Sequence, residues 1–337
     1  LNSSHITILG IESSCDDTAA AVLTDGKIRA NIVASQDVHQ QYGGVVPELA
    51  SRAHQSHIVP VVEQACRTAG IEVTEIDAIA YTRGPGLMGS LLVGASFAKG
   101  LSIALNKPML GVNHLEAHVA AIFIENPDAP LPFLCLLVSG GHTQLVLVRS
   151  PTDMEIVGST LDDAAGEALD KGAKMLGLPY PGGPVIDRLA ATGDATAFAF
   201  SDAHVPGLDF SFSGIKTSLL YFLRDRQKEQ PDFVDARLPD ICASYQEHIV
   251  RYLLRISDKA IRQYRPAAIA LSGGVSANSR LRAAFTELAS TSGLPALIPS
   301  FAYCTDNAAM IAMAGYFMAK EGRFAGLEVL PFARGGK

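Results

Sequence analysis

The feature that most constrains this chain is a pattern that occurs twice. In the first half, residues 6–11, 19–23 and 28–34 read as short strands separated by Asp and Gly turns. In the second half, Phe133–Val138 and residues 143–148 read as strands around the turn Ser139-Gly140-Gly141. Each half then carries a buried strand that runs through glycines into a helix. Residues 76–81 lead through Gly84-Pro85-Gly86 into an apolar helix that reaches about Ala104. Residues 267–271 lead through Ser272-Gly273-Gly274 into a helix from about Ala277. A further helix is expected over Pro47–Ala69, with Pro at its start, where the missing N–H is an orphan anyway. Such a repeat predicts a duplicated α/β architecture of two related lobes facing a cleft.

Length agrees with two lobes: the chain has 337 residues, and domains average roughly 150. The expected division is residues 1–118 and 119–337, with the helix after 306 free to return to the first lobe. Between about 178 and 235 the pattern breaks into a stretch rich in Gly, Pro and aromatics. It contains Tyr180-Pro181-Gly182-Gly183-Pro184 and Asp209-Phe210-Ser211-Phe212-Ser213-Gly214. It exceeds a normal loop and reads as a functional insertion with some helix of its own.

Three glycine turns follow expected strands. Without a Cβ, backbone N–H groups can approach a phosphate closely, and a following helix adds its positive end. One such turn alone is an ordinary tight turn. Three at strand ends, two of them Ser-Gly-Gly, point to a nucleotide cleft. Neither the P-loop pattern nor the dinucleotide G-x-G-x-x-G occurs. Beside the first hairpin lies Glu12-Ser13-Ser14-Cys15-Asp16-Asp17-Thr18. Carboxylates there can orient a metal, position a nucleophile or accept a proton. They can also be a plain polar turn.

Asn113-His114-Leu115-Glu116-Ala117-His118 places two histidines four residues apart. On a helix they share one face, which suits two ligands of one metal. Glu116 lies two residues from each, about 200° around the helix, so it points away from a metal held by the pair. This geometry opposes a metallopeptidase of the H-E-x-x-H type. A third ligand would be distant; Asp306, in Cys304-Thr305-Asp306-Asn307, is the candidate. Two His and one carboxylate suit Fe(II) or Zn(II). The other reading is two surface histidines and an N-capping Asp.

Composition sets outer bounds. Hydrophobic residues are 48% and charged residues 18%, enough for a large core and against disorder. The net charge of −7 argues against a basic nucleic-acid coat, so a polyanion would need a local patch. Arg251, Arg255, Lys259 and Arg262 have helical spacing and would form a basic stripe, or simply a solvated helix face. Arg280 and Arg282 add charge near the second Ser-Gly-Gly turn. The five cysteines are scattered and form no C-x-x-C pair, which favours a reducing, cytoplasmic setting. No apolar run is read as a membrane span, and residues 1–4 carry no basic start of a secretory signal.

Taken together, these blocks resemble the TsaD family (also Gcp or YgjD) of tRNA threonylcarbamoyladenosine-forming transferases. The resemblance covers nearly the whole chain. It rests on GIESSCDDT at 10–18, GGVVPELASRAH at 43–54, TRGPGL at 82–87, NHLEAH at 113–118 and LVSGGHTQ at 137–144. It continues with DDAAGEALD at 162–170, YPGGP at 180–184, DFSFSGIKT at 209–217, SGGVSANSRLR at 272–282 and TDNAA at 305–309. Departures are small: Ser13 where Thr is common, Ala117 where Gly is common and Ser276 where Ala is common.

The resemblance implies two actin-like (ASKHA, ribonuclease H-like) lobes and a divalent metal, Fe(II) or Zn(II), on His114, His118 and Asp306. It implies substrate contacts at Leu137, Val138, Ser139, Gly140, Gly141, Asp170, Gly183 and Asn278, with Asp187 a further candidate. The implied donor is threonylcarbamoyl-adenylate. The implied acceptor is the N6 amine of the adenosine next to the anticodon in tRNAs reading codons that start with A. Implied partners are a metal-free paralogous subunit (TsaB-like), pairing through the first lobe, and a small P-loop ATPase (TsaE-like). Glu12 is the candidate proton acceptor. Competing classes are a metal-dependent endopeptidase, a small-molecule kinase of the same fold and a nucleotide-switched scaffold.

Overall fold

A computed structural model describes residues 5–201 and 205–334. The leader reading of residues 1–4 and positions 202–204 of the insertion lie outside the described residues. The chain divides into two compact units, residues 1–128 with 305–337, and residues 129–304.

The chain starts with a meander, β1 (Thr7–Glu12), β2 (Thr18–Thr24) and β3 (Lys27–Ala34). Asp25 and Gly26, both at positive φ (50° and 76°), make the tight β2–β3 turn. That conformation matches the twist of a two-residue hairpin. Then come α1 (Pro47–Ala69), β4 (Ala78–Gly84), α2 (Met88–Leu105), β5 (Met109–Asn113), α3 (His114–Ala120) and α4 (Ile122–Glu125). The strand order is β3-β2-β1-β4-β5. β4 runs parallel to β1, and β5 parallel to β4, so their C-terminal ends lie on one edge.

α2 departs from the sequence expectation. Its eighteen residues are long and apolar enough, by length and composition, to cross a membrane. Here it is the crossover between β4 and β5, packed on β4 and α1. An apolar helix is what a parallel crossover needs in order to cover its sheet.

The second unit repeats the scheme. It holds β6 (Phe133–Val138), β7 (Thr143–Ser150), β8 (Asp153–Ser159), α5 (Ala165–Met175), α6 (Gly182–Ala190) and α7 (Ser213–Glu229). α8 (Phe233–Tyr264), β9 (Ala268–Ser272), α9 (Ser279–Thr291) and β10 (Ala296–Leu297) complete it. Its order, β10-β9-β6-β7-β8, is that of the first sheet: a three-strand meander with two strands added in parallel. α8 breaks at Arg237, within the turn ahead of Pro239, which has no N–H to give the Asp235 carbonyl and whose ring crowds it. α10 (Ala308–Lys320) returns to the first unit and packs on β1, β2 and β4. Its residues 308–314 are all buried, as a helix apolar on every side requires.

The expected insertion contains α6 and α7. Its aromatic motif is an anchor for the second core. Phe210 and Phe212 are fully buried and meet the Tyr252 ring of α8 edge-on at 6.1 and 5.5 Å. Such edge contacts contribute about 0.5–1.5 kcal/mol beyond burial. Asp162 accepts hydrogen bonds from the Phe212 and Ser213 amides, tying the motif to the β8–α5 loop.

Candidate metal centre and nucleotide cavity

The metal candidates all belong to the first unit. β5 ends at Asn113, whose side chain accepts from the Leu115 and Glu116 amides and so starts α3. That cap sets His114 and His118 one turn apart on the buried side, while Glu116 is exposed. The folded helix therefore has the two faces that the spacing predicts.

Asp306 arrives from the start of α10. The sequence offered it as an N-cap, but Asn307 takes that role, its side chain accepting from the Met310 amide. Asp306 is left to face the histidines: its Oδ1 lies 3.1 Å from His118 Nε2 and 3.5 Å from His114 Nε2. The three donor atoms fall within 4.8 Å of one another. Two imidazole nitrogens and one carboxylate oxygen on a common point fit a divalent ion of the Fe(II) or Zn(II) kind.

Glu12 closes the first sheet's edge behind them and is 0% exposed. One oxygen accepts from the Ser14 amide; the other accepts from Thr82 Oγ1 at 2.6 Å and His114 Nδ1–H at 3.2 Å. Burial alone would raise its pKa, but the His114 imidazolium and these bonds hold it below the usual carboxylate value. Burial would likewise lower His114, yet Glu12 and Asp306 push it up to about 9. The neighbouring turn is pinned by His54, which donates to the Cys15 carbonyl and accepts from Thr18 Oγ1. Asp17 is raised to about 7, first by burial and then by Asp306, Asp16 and Glu12, against a bond to Ser35.

The second unit contains a cavity of about 320 Å³. It gathers Gly140, Asp170, Gly183, Asp187 and Asn278 from the sequence-stated candidates. Leu137 and Val138 are instead buried residues of β6. Ser139 forms the turn, its Oγ accepting from the His142 amide. The turn lies against the start of α5, where a Cβ on Gly166 would come within 2.6 Å of the Ser139 carbonyl oxygen. Gly166 is thus a position that only glycine fills, and sequence spacing did not single it out.

The polar lining is already tied together. Asp170 accepts from the Gly182 and Gly183 amides at the start of α6. Asp187 accepts from both the amide and hydroxyl of Ser279. Asn278 caps α9 through the Leu281 amide and donates to Gln246 Oε1 at 2.7 Å. Sequence reading also missed Arg188 and Val275, which line the cavity, and Gln246, which holds Asn278. Val275 lies within the block at 272–282 but was not read as a contact, and no motif marks Arg188 or Gln246; the three are brought in by the β9–α9 turn, α6 and α8.

The basic stripe is exposed along α8, but Arg251 pairs with Glu247 and Arg262 with Asp258. Arg280 also grips Glu247, by two hydrogen bonds. Arg282 donates to the Ser276 and Pro299 carbonyls and stacks on Phe301, so it braces the turn. All five cysteines are free thiols.

Comparison with known proteins first places the fold. The chain is similar to HypF of T. kodakarensis, with 16% identity, a TM-score of 0.63 and coverage of 94% of this chain and 48% of that one. It is also similar to component A of Acidaminococcus fermentans (R)-2-hydroxyglutaryl-CoA dehydratase, with 14% identity, TM-score 0.54 and coverage of 94% and 100%. The fold is therefore the actin-like α/β fold of the ASKHA class.

Sequence relatives are closer. A relative from Porphyromonas gingivalis is 56% identical over 334 residues, 98% of each chain. One from Cytophaga hutchinsonii is 53% identical over 332 residues, 98% of this chain and 97% of its own. Both are named tRNA N6-adenosine threonylcarbamoyltransferase. The family model with that description matches residues 27–313. The chain belongs to the TsaD family and is a transferase of tRNA modification.

Proposed function

We propose that this chain transfers the threonylcarbamoyl group from threonylcarbamoyl-adenylate to the N6 amine of the adenosine next to the anticodon. The tRNAs are those reading codons that start with A. N6 attacks the carbamoyl carbonyl carbon, the bond to the phosphate oxygen breaks, AMP leaves, and N6 gives up one proton. The observation that carries this reading is the cavity gathering Gly140, Asp170, Gly183, Asp187 and Asn278 in a member of this family.

Each polar group has a part to play. Leu137 and Val138 set the strand that presents the Ser139-Gly140-Gly141 turn, whose backbone approaches the donor's phosphate. Asp170 keeps one carboxylate oxygen outside the Gly182 and Gly183 bonds, available to a ribose hydroxyl. Asp187 and Asn278 shape the opposite wall through α9. His114, His118 and Asp306 would hold the metal, Fe(II) or Zn(II). When bound, it supplies Lewis acidity to a carbonyl whose attacker, an aromatic amine, is a weak nucleophile. Holding the two reactants in place lowers the barrier further, because the entropy of bringing them together is lost on binding rather than in the reaction.

The exposed stripe of Arg251, Arg255, Lys259 and Arg262 would meet tRNA phosphates, with help from partners in an acidic protein. The partners are a metal-free paralogous subunit (TsaB-like) and a small P-loop ATPase (TsaE-like), and the reaction takes place in the cytoplasm. The test incubates the protein and both partners with threonylcarbamoyl-adenylate and unmodified tRNA, and measures modified nucleoside and AMP. Equal amounts of both support the reading. AMP without modified nucleoside, or neither product, refutes it.

A further inference from the structure

We propose that Glu12 is a positioning residue: it fixes the ring orientation and tautomer of His114, and does not collect the substrate's proton. This rests on the reading of His114, His118 and Asp306 as metal ligands.

β1, β4 and β5 are parallel neighbours, so their C-terminal ends share one edge of the sheet. That edge brings together Glu12 at the end of β1, Thr82 near the end of β4 and His114 just after β5. The contact spans 102 residues of sequence.

The hydrogen bonds then decide what Glu12 can do. Its two oxygens accept three donors, from the Ser14 amide, the Thr82 hydroxyl and His114 Nδ1–H. None of its surface reaches solvent. A proton acceptor must reach the reacting proton directly or through one water. Glu12 faces His114 from the side away from Asp306, since it holds Nδ1 while Nε2 lies toward the Asp306 oxygen. In the neutral ring that a metal binds, donating Nδ1–H to a carboxylate leaves Nε2 as the lone-pair nitrogen and fixes the plane in which it points. Metal-ligating histidines characteristically carry such a partner, and losing it weakens metal binding by about 10–100-fold. Thr82 in turn locks the carboxylate oxygen that His114 uses.

The test is Zn(II) affinity by chelator competition on the full chain, with thermal melting as a check of folding. Wild type, Glu12→Gln, Thr82→Val and His118→Ala are compared. A glutamine must direct its NH₂ at one of the three donors, so at least one bond is lost. Glu12→Gln should bind Zn(II) about 10–100-fold more weakly, and Thr82→Val several-fold more weakly. The Co(II)-loaded Glu12→Gln protein should show an altered visible absorption spectrum. If Glu12→Gln binds within twofold of wild type, with the same Co(II) spectrum, the positioning role is overturned. If Glu12→Gln does not fold, Thr82→Val decides: a fall in affinity supports the role and an unchanged value overturns it. If wild type itself binds no more tightly than His118→Ala, the metal reading fails first, which is a different result.

Discussion

Two glycines of the nucleotide turns make the same sequence pattern but carry different loads, and single alanines separate them. Gly273 has φ 87° and ψ 165°, a region essentially closed to other residues. Holding alanine there costs about 1–3 kcal/mol. Its Cβ would also overlap the Val138 carbonyl oxygen, and relieving an overpacked contact costs about 1–3 kcal/mol more. Gly273→Ala should therefore lose about 2–6 kcal/mol, a large part of the 5–15 typical of a domain. At about 2–4 °C per kcal/mol, the melting temperature should fall by about 5 °C or more.

Gly140 is the opposite case. A Cβ there meets nothing within 4 Å, and the residue lines the cavity. Gly140→Ala should melt within about 4 °C of wild type, since Gly→Ala at a compatible site changes stability by only about 0.4–1 kcal/mol. Its effect should appear when AMP is added: AMP affinity by calorimetry should fall about tenfold or more, and further for Gly140→Val. The assay is thermal unfolding with and without AMP, alongside calorimetry. The reasoning is refuted if Gly273→Ala melts like wild type, or if Gly140→Val binds AMP as tightly as wild type.

Other expectations follow from the same geometry. His114→Ala and His118→Ala should lose bound metal and transfer activity while circular dichroism shows the fold retained, and Glu116→Gln, altered on the exposed face, should keep most of both. Asp17 has a folded pKa of about 7, above its ordinary 3.8, so the native state holds that proton more tightly. The stability this contributes is present at low pH and lost as pH rises from about 4 through 7. In chelator-treated protein Asp17→Asn should remove that slope and be more stable at pH 8, by on the order of 1–2 kcal/mol given its partial exposure; parallel pH profiles would sink the assignment. For tRNA, Arg255→Ala with Lys259→Ala should flatten the log–log salt dependence of binding by about one to two units, measured with partner subunits present. Identical slopes would remove α8 from the tRNA path.

What could be read from sequence was local. The strands and helices follow from apolar periodicity and from Pro and Gly punctuation; α1 was expected over Pro47–Ala69, where it is found. The shared face of His114 and His118 follows from helical spacing alone, as does the exclusion of Glu116. α5 and β8 were not singled out, and of α8 only the helical spacing of Arg251, Arg255, Lys259 and Arg262 was read. Periodicity says which side of an element is apolar. It does not say which distant element will cover it.

The rest was decided by tertiary structure. The residue before α10 that caps it could have been Asp306 or Asn307; packing gave the cap to Asn307 and turned Asp306 toward the histidines. Asn278 reads as a ligand contact in the sequence, yet its side chain also caps α9 and anchors to Gln246. Glu12 reads as a free carboxylate on a polar hairpin. The parallel register of β1, β4 and β5 surrounds it with Thr82 and His114 instead. Residue type and local spacing determined which groups could do chemistry, because those depend on a few neighbouring dihedrals. Which groups meet depends on sheet register and helix docking, set by the burial of whole faces and invisible to any short window of sequence.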